Sequence, residues 1–336
     1  MNLRSGIIAA GNWIVDHVKV IDSWPPQDAL ATILSQSLGN GGSPYNILKN
    51  LARLGATFPL EAIGLVGKDA DGSAIRADCQ AHGIATAQLR SIEGWATSYT
   101  DVMTDQVTGR RTFFHQRGAN ALLGPEHFDF HSTRARFFHL GYILLLDALD
   151  APDGIGRPRA GEVLEAARSA GLRTSLDCVS ENSDRFQTVV RPVLPLVDLF
   201  FANDFEAEKI TGITLGRGQA LDRNAVEAAA RELIRLGVGE WVLIHFPEAI
   251  CACSAAGEIL WQPSVRMPES EIKGTAGAGD AFAAGVLLGV HEDWPMARCL
   301  ELGVCAAAAS LMHPACSESL RPLAECLALG RGFGYR

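Results

Sequence analysis

The chain has 336 residues, 48% hydrophobic and 20% charged, enough for one large α/β domain with an inserted element or for two domains, and too apolar for long disorder. Its 29 Lys and Arg against 38 Asp and Glu leave a formal charge of −9, which argues against a nucleic-acid or anionic-membrane surface. No stretch supplies the roughly 18 uninterrupted apolar residues of a membrane span, so a soluble, cytoplasmic protein is expected.

Residues 6–13 read as a buried first strand rather than a signal peptide. The sequence Gly11-Asn12-Trp13-Ile14-Val15-Asp16 ends that strand and sets Asp16 at the edge where ligands of open α/β sheets bind. Residues 17–37 break into short, turn-punctuated runs. Gly39-Asn40-Gly41-Gly42-Ser43-Pro44-Tyr45-Asn46 then turns into a helix over 43–54, in which Pro44 suits the first turn. Gly42 and Asn46 are there either as capping elements or as ligand contacts. A strand at 61–66 and a helix at 72–82 follow. Residues 85–115 carry hairpin grammar, with alternating runs on either side of a Thr108-Gly109 turn. Arg117, in Gln116-Arg117-Gly118-Ala119-Asn120, is either a surface charge or a clamp for an anionic or polyhydroxyl ligand. Strands at 137–140, 172–177, 199–202 and 241–245 alternate with helices at 159–170, 225–236, 278–289 and 296–312.

This alternation predicts a mainly parallel sheet flanked by helices. The two early insertions, 17–37 and 85–117, are expected to form a small β lid over a core made of 1–16, 38–84 and 118–336. Eight cysteines without paired CxxC spacing read as buried, reduced thiols.

Two further clusters carry chemistry. Asn203-Asp204-Phe205-Glu206 follows a strand and opens a helix, so Asn203 and Glu206 either form a capping box or position a water-bound Mg²⁺. Gly274-Thr275-Ala276-Gly277-Ala278-Gly279-Asp280 leads into a small, apolar helix. The amides at such a helix start lack intrahelical partners and favour an anion, and Asp280 is either a cap or a general base beside it. Neither a G-x-x-x-x-G-K-[ST] phosphate loop nor a G-x-G-x-x-G after the first strand is present. His115, His139, His245 and His313 show no metal spacing and read as structural.

Taken in order, these clusters resemble the ribokinase-like (PfkB) carbohydrate kinases over nearly the whole chain. The matches are Gly11 to Asp16, Gly41-Gly42 with Asn46, Leu54-Gly55, Gly64 to Asp69 with Gly72, Gly118-Ala119-Asn120, Asn203 to Glu206 and Gly277 to Asp280. The resemblance implies a parallel-sheet α/β core with a β lid and transfer of the ATP γ-phosphoryl group to a hydroxyl of a sugar or related small molecule. It makes Asp280 the base and the amides of Gly277, Ala278 and Gly279 the anion hole. It puts Asp16, Gly42 and Asn46 on substrate hydroxyls, Asn203 and Glu206 on Mg²⁺, and Thr275 on the cofactor side. Arg117, with Arg110 and Arg111, suits either an acidic substrate or a solubilised lid.

The chain departs from the family pattern in two places. Gly274 stands where an aspartate is usual, which leaves a monovalent-cation site open. Phe246-Pro247-Glu248-Ala249 lacks both glycines of the usual G-x-x-G turn beside the nucleotide. The altered turn motivates an alternative, a non-catalytic sugar or nucleoside sensor on the same fold. An edge strand on the lid would suit a homodimer.

Overall fold

In the computed structural model, which describes residues 4–336, the chain enters through β1 (Ile7–Gly11), five small or aliphatic residues buried along their whole length. That is the composition of a strand covered on both faces. The chain leaves for β2 (Ile14–Ile21) and β3 (Ile33–Gly41), then returns through α1 (Ser43–Leu54), β4 (Leu60–Gly67), α2 (Ala70–Ala81) and β5 (Ile84–Ile92). A second excursion, β6 (Ser98–Asp105) and β7 (Arg111–Gln116), precedes β8 (Phe137–Ile143), α3 (Asp147–Asp150), α4 (Ala160–Ser169) and β9 (Arg173–Cys178). Next come β10 (Leu199–Asn203), α5 (Asp204–Thr211), α6 (Arg223–Arg235), β11 (Trp241–His245), β12 (Ala249–Ser254) and β13 (Ile259–Pro263). The chain closes with α7 (Ala278–His291), α8 (Met296–Ser310) and α9 (Leu323–Phe333).

Nine strands form the core sheet in the order β13-β12-β11-β10-β9-β8-β1-β4-β5. From β11 to β5 all neighbours are parallel, and the β12–β13 hairpin adds an antiparallel edge. Side chains alternate across β1: Ile7 and Ala9 join a cluster with Leu48, Phe282 and Leu302, whereas Ile8 and Ala10 join Leu164, Ala207 and Leu233 on the opposite face. The result is three layers, with α1, α7, α8 and α9 on one face of the sheet and α4, α5 and α6 on the other. Trp13, fully buried, seals the exit from β1 by donating its indole N–H to the Ile63 carbonyl at 2.8 Å. Truncating a side chain of that size in such a place costs about 3–5 kcal/mol.

The strand order reverses at β1, which has β4 on one side and β8 on the other. Ligands of open α/β sheets bind in the crevice at such a switch point, beyond the strands' carboxyl ends. The second sheet, ordered β3-β2-β6-β7, stands over this edge. Its first two strands begin at Ile14 and run to Gly41, so Asp16 is carried by the lid strand β2 and not by the end of the first core strand. β5, expected in the lid, belongs to the core sheet, where it pairs in parallel with β4. It is an edge strand with alternating burial, a pattern that a hairpin strand shares.

Candidate active site

The Asp280 carboxylate lies in the first turn of α7, 4% exposed, at the wall of a cavity of about 490 Å³ between the sheet edge and the lid. Its Oδ2 accepts hydrogen bonds from Asn46 Nδ2 at 2.6 Å and Tyr142 Oη at 3.0 Å. Asn46 is itself oriented by Asn40, whose Nδ2 donates to its Oδ1 at 2.7 Å. Burial, with the nearby Asp177 charge, pushes the Asp280 carboxyl up to about 7, against the opposing pull of its two donors. The helix starts on Gly277 at φ +76, where a Cβ would also stand 2.6 Å from that of Cys316. Only glycine allows both that turn and that approach. The amide of Ala278 makes a long bond, 3.4 Å, to the Thr275 carbonyl.

Asp16 faces Asp280 across the cavity from β2. Burial pushes its carboxyl up to about 7, opposed by a Thr100 hydrogen bond, the Cys316 thiol 3.9 Å from Oδ2, and the Arg111 charge. Gly41 makes room for it, since a Cβ there would stand 2.5 Å from Asp16 Oδ1. Gly42 caps α1 and lines the same cavity, so Asp16, Gly42, Asn46, Gly277, Gly279 and Asp280 come together. Arg117 lines neither this cavity nor its neighbour; its Nη1 lies 2.8 Å from Asp147 Oδ1.

Asn203 and Glu206 form the capping box that their spacing suggests. Asn203 Oδ1 accepts the Glu206 N–H at 2.9 Å, and Glu206 Oε2 accepts the Asn203 N–H at 2.9 Å. Ser180 Oγ, which accepts from Asn203 Nδ2 at 2.7 Å, donates to Glu206 Oε1 at 2.8 Å. Both residues also line the first cavity. Among the described residues there is no cluster of three His, Cys, Asp or Glu side chains that could hold a metal. One wall carboxylate with its oxygens already engaged fits Mg²⁺ held through water and does not fit a direct protein cage.

A second cavity, about 370 Å³, opens between the β11–β12 turn and α7–α8, and Asn203, His245 and Gly279 line both. Its walls are largely apolar, including Phe246, Ile250, Met267 and Phe282, and Thr275 and Ala278 stand at its edge. The turn from 246 to 249 forms without glycine because none of its residues takes a positive φ; Phe246 N–H donates to the Ala249 carbonyl at 3.1 Å. Gly274 brings no carboxylate, and the space in front of it is filled by Arg111 of β7, whose Nη2 would lie 2.7 Å from a Cβ at that position. These residues do not fit a monovalent-cation site built on a carboxylate there.

Several wall residues were not anticipated. Asp177 stands one residue before the end of β9, at the same carboxyl edge as Asn203, so its place at the end of a strand was the available signal. Tyr142 sits at φ +55, a backbone state that sequence does not announce. His115 and His245, read as structural, both reach the first cavity, and burial holds each down to about 4. His139 is structural: fully buried, it contacts Ser43 Oγ and Ser175 Oγ at 3.0 and 2.9 Å. All eight cysteines are free and buried.

A lid-covered cavity at a switch point, one buried carboxylate at a glycine-started helix and a second, apolar cavity beside it stand together on a ribokinase-like α/β fold. The chain belongs to the pfkB family of carbohydrate kinases, whose family model matches residues 9–322. It is 28% identical over 304 residues to an ATP-dependent ribose-1-phosphate kinase of Halopiger xanaduensis, covering 88% of each chain. The fold is that of Arabidopsis thaliana ribokinase solved with ribose and ATP, at a TM-score of 0.77, 20% identity and coverage of 97% and 99%. A Burkholderia thailandensis nucleoside kinase solved with inosine superposes at a TM-score of 0.73, with 17% identity and coverage of 98% and 99%. No helix among the described residues is long and apolar enough to cross a membrane.

Proposed function

We propose that the chain transfers the γ-phosphoryl group of ATP to a hydroxyl of a sugar or related polyhydroxylated molecule, with Asp280 as the base. The observation that carries this reading is the position of Asp280 in the acceptor-sized cavity, next to Gly279, which lines both cavities. In the reaction the acceptor hydroxyl loses its proton to Asp280 as its oxygen bonds to the γ-phosphorus. The bond from that phosphorus to the bridging oxygen breaks, and ADP leaves. A carboxyl held near 7 is matched to this task at neutral pH. The amides of Gly277, Ala278 and Gly279 would donate to the charge that develops on the transferred group. Asp16 and Asn46 bind acceptor hydroxyls, and the apolar cavity takes the adenosine end of ATP. Asn203 and Glu206 would hold Mg²⁺ through water, and that ion would offset phosphate charge.

The sensor alternative has no observation in its favour, since the glycine-free turn leaves the second cavity open. ATP consumption with a panel of sugars, sugar acids, sugar phosphates and nucleosides tests the proposal; ligand binding without turnover by any of them would overturn it. The same reading favours a homodimer through the lids, because Ile33, Leu34, Leu38 and Phe114 leave apolar surface outside them. Light scattering at the mass of one chain would remove that assembly.

A further inference from the structure

Two donors, Asn46 Nδ2 and Tyr142 Oη, converge on the same oxygen of Asp280, and among the described residues the other oxygen, Oδ1, accepts no hydrogen bond. Tyr142 reaches that position from a left-handed backbone, φ +55, which residues with a side chain disfavour. Asp177 holds it there. One of its oxygens, Oδ1, accepts the Tyr142 N–H at 2.6 Å; the other accepts the Ser43 hydroxyl at 2.6 Å, with His139 Nε2 at 3.4 Å behind. Ser43, His139 and Ser175 are fully buried and Asp177 is 8% exposed, so the clamp is anchored inside the sheet.

We propose that Tyr142 is a positioning residue for the base: clamped by Asp177, its hydroxyl commits Asp280 Oδ2 and presents Oδ1 alone to the acceptor hydroxyl. The inference rests on the reading of Asp280 as base. Burial and the Asp280 and Asp177 charges hold the Tyr142 phenol well above its ordinary range, so it remains a donor at every working pH. Its hydrogen bond favours the carboxylate form of Asp280. The other titratable or charged groups around this site are Asp177 and Cys178 from β9, Asp16 from β2, His115 and Arg111 from β7, Cys316 from the segment before α9, His245 from β11 and Glu206 from α5. None of them hydrogen-bonds Asp280, so the tyrosine and Asn46 hold it alone.

The test is Tyr142→Phe, which keeps the ring and removes one bond. Loss of a hydrogen bond to a charged group predicts a fall in kcat of about tenfold or more, with the acceptor KM changed by less than about threefold. The acid limb of the kcat–pH profile moves to higher pH, because the carboxylate has lost a donor that favoured it. A limb that does not move, with kcat within about twofold of wild type, overturns the proposal. Should Tyr142→Phe fold poorly, 3-fluorotyrosine at the same position supplies a stronger donor and moves the limb the other way; an unmoved limb there overturns it as well. Asp280→Asn measured alongside separates the two readings. Turnover retained in that variant removes the base itself, whereas turnover lost there with Tyr142→Phe unaffected removes only the positioning role.

Discussion

The two cavities that meet at Gly279 are built on different principles. Under the lid, burial pushes the Asp16 and Asp280 carboxyls up to about 7, and specific donors, among them Asn46 and Tyr142 on Asp280, oppose it. On the other side of His245, the wall is made of Phe246, Ile250, Met267 and Phe282. If the first cavity takes the acceptor and the second the adenosine of ATP, the first would discriminate by hydrogen bonds and charge, which fail when a single atom is missing, and the second would hold its ligand by area, which tolerates substitution. The β11–β12 turn lacks both glycines while the apolar cavity beside it persists.

The largest effect should come from Asp280→Asn. A positioned base contributes roughly 10²- to 10⁴-fold, so kcat should fall by that factor while acceptor affinity, measured by calorimetry, stays close to wild type. Near-wild-type turnover would sink the assignment and with it the asymmetry between the cavities. Asp16→Asn comes next. Hydrogen bonds to a charged group are each worth about 1.5–3 kcal/mol, so the acceptor KM should rise by about ten- to a hundredfold with the ATP KM unchanged. A rise in both would mean that the two cavities do not divide the substrates between them.

A smaller effect should appear in stability against pH. The Asp280 and Asp16 carboxyls stand at about 7 in the folded chain against 3.8 for a free aspartate, the reverse of the usual salt-bridged case. The folded state therefore binds more protons than the unfolded state between those two values, and the contribution of these groups to stability decreases as pH rises across that window. Melting scans of the free protein should show Asp280→Asn gaining relative to wild type as pH rises from about 5 to about 8. An unchanged difference across that range would show that burial does not hold the group near neutrality.

Much of this was legible in the sequence, for physical reasons that can be named. The apolar runs of β1, β8 and β10 and the strict strand–helix alternation admit few topologies. Glycines before Ser43 and Asp280 marked the two helix starts that face the first cavity. The misreadings share a cause. β5 alternates because one of its faces is uncovered, and alternation does not say which sheet a strand joins. The β12–β13 hairpin has no Asn-Gly turn to announce it. Asp177 and Tyr142 matter through a clamp between β8 and β9, a relation among residues 35 apart that no local pattern encodes.

The smallest expected effect concerns monovalent cations, and it follows from a charge that the fold already supplies. At Gly274 the chain has no carboxylate to draw an ion, and the volume in front of it holds the Arg111 guanidinium, brought across by the lid strand β7. That strand alternates Arg111, Phe113 and His115 on one face, and the latter two line the acceptor cavity. The same guanidinium lowers the Asp16 carboxyl against the effect of burial, so its field reaches the acceptor site. If that charge takes the part of an activating ion, a fixed guanidinium beside the loop before α7 would act electrostatically as a bound ion does, without an ordering cost at each turnover. Replacing K⁺ with a bulky organic cation should thus change kcat by less than about twofold, and Arg111→Met should lower it. A variant rescued by K⁺ while the wild type stays indifferent would sharpen the comparison between guanidinium and ion; a wild type that needs K⁺ would break it.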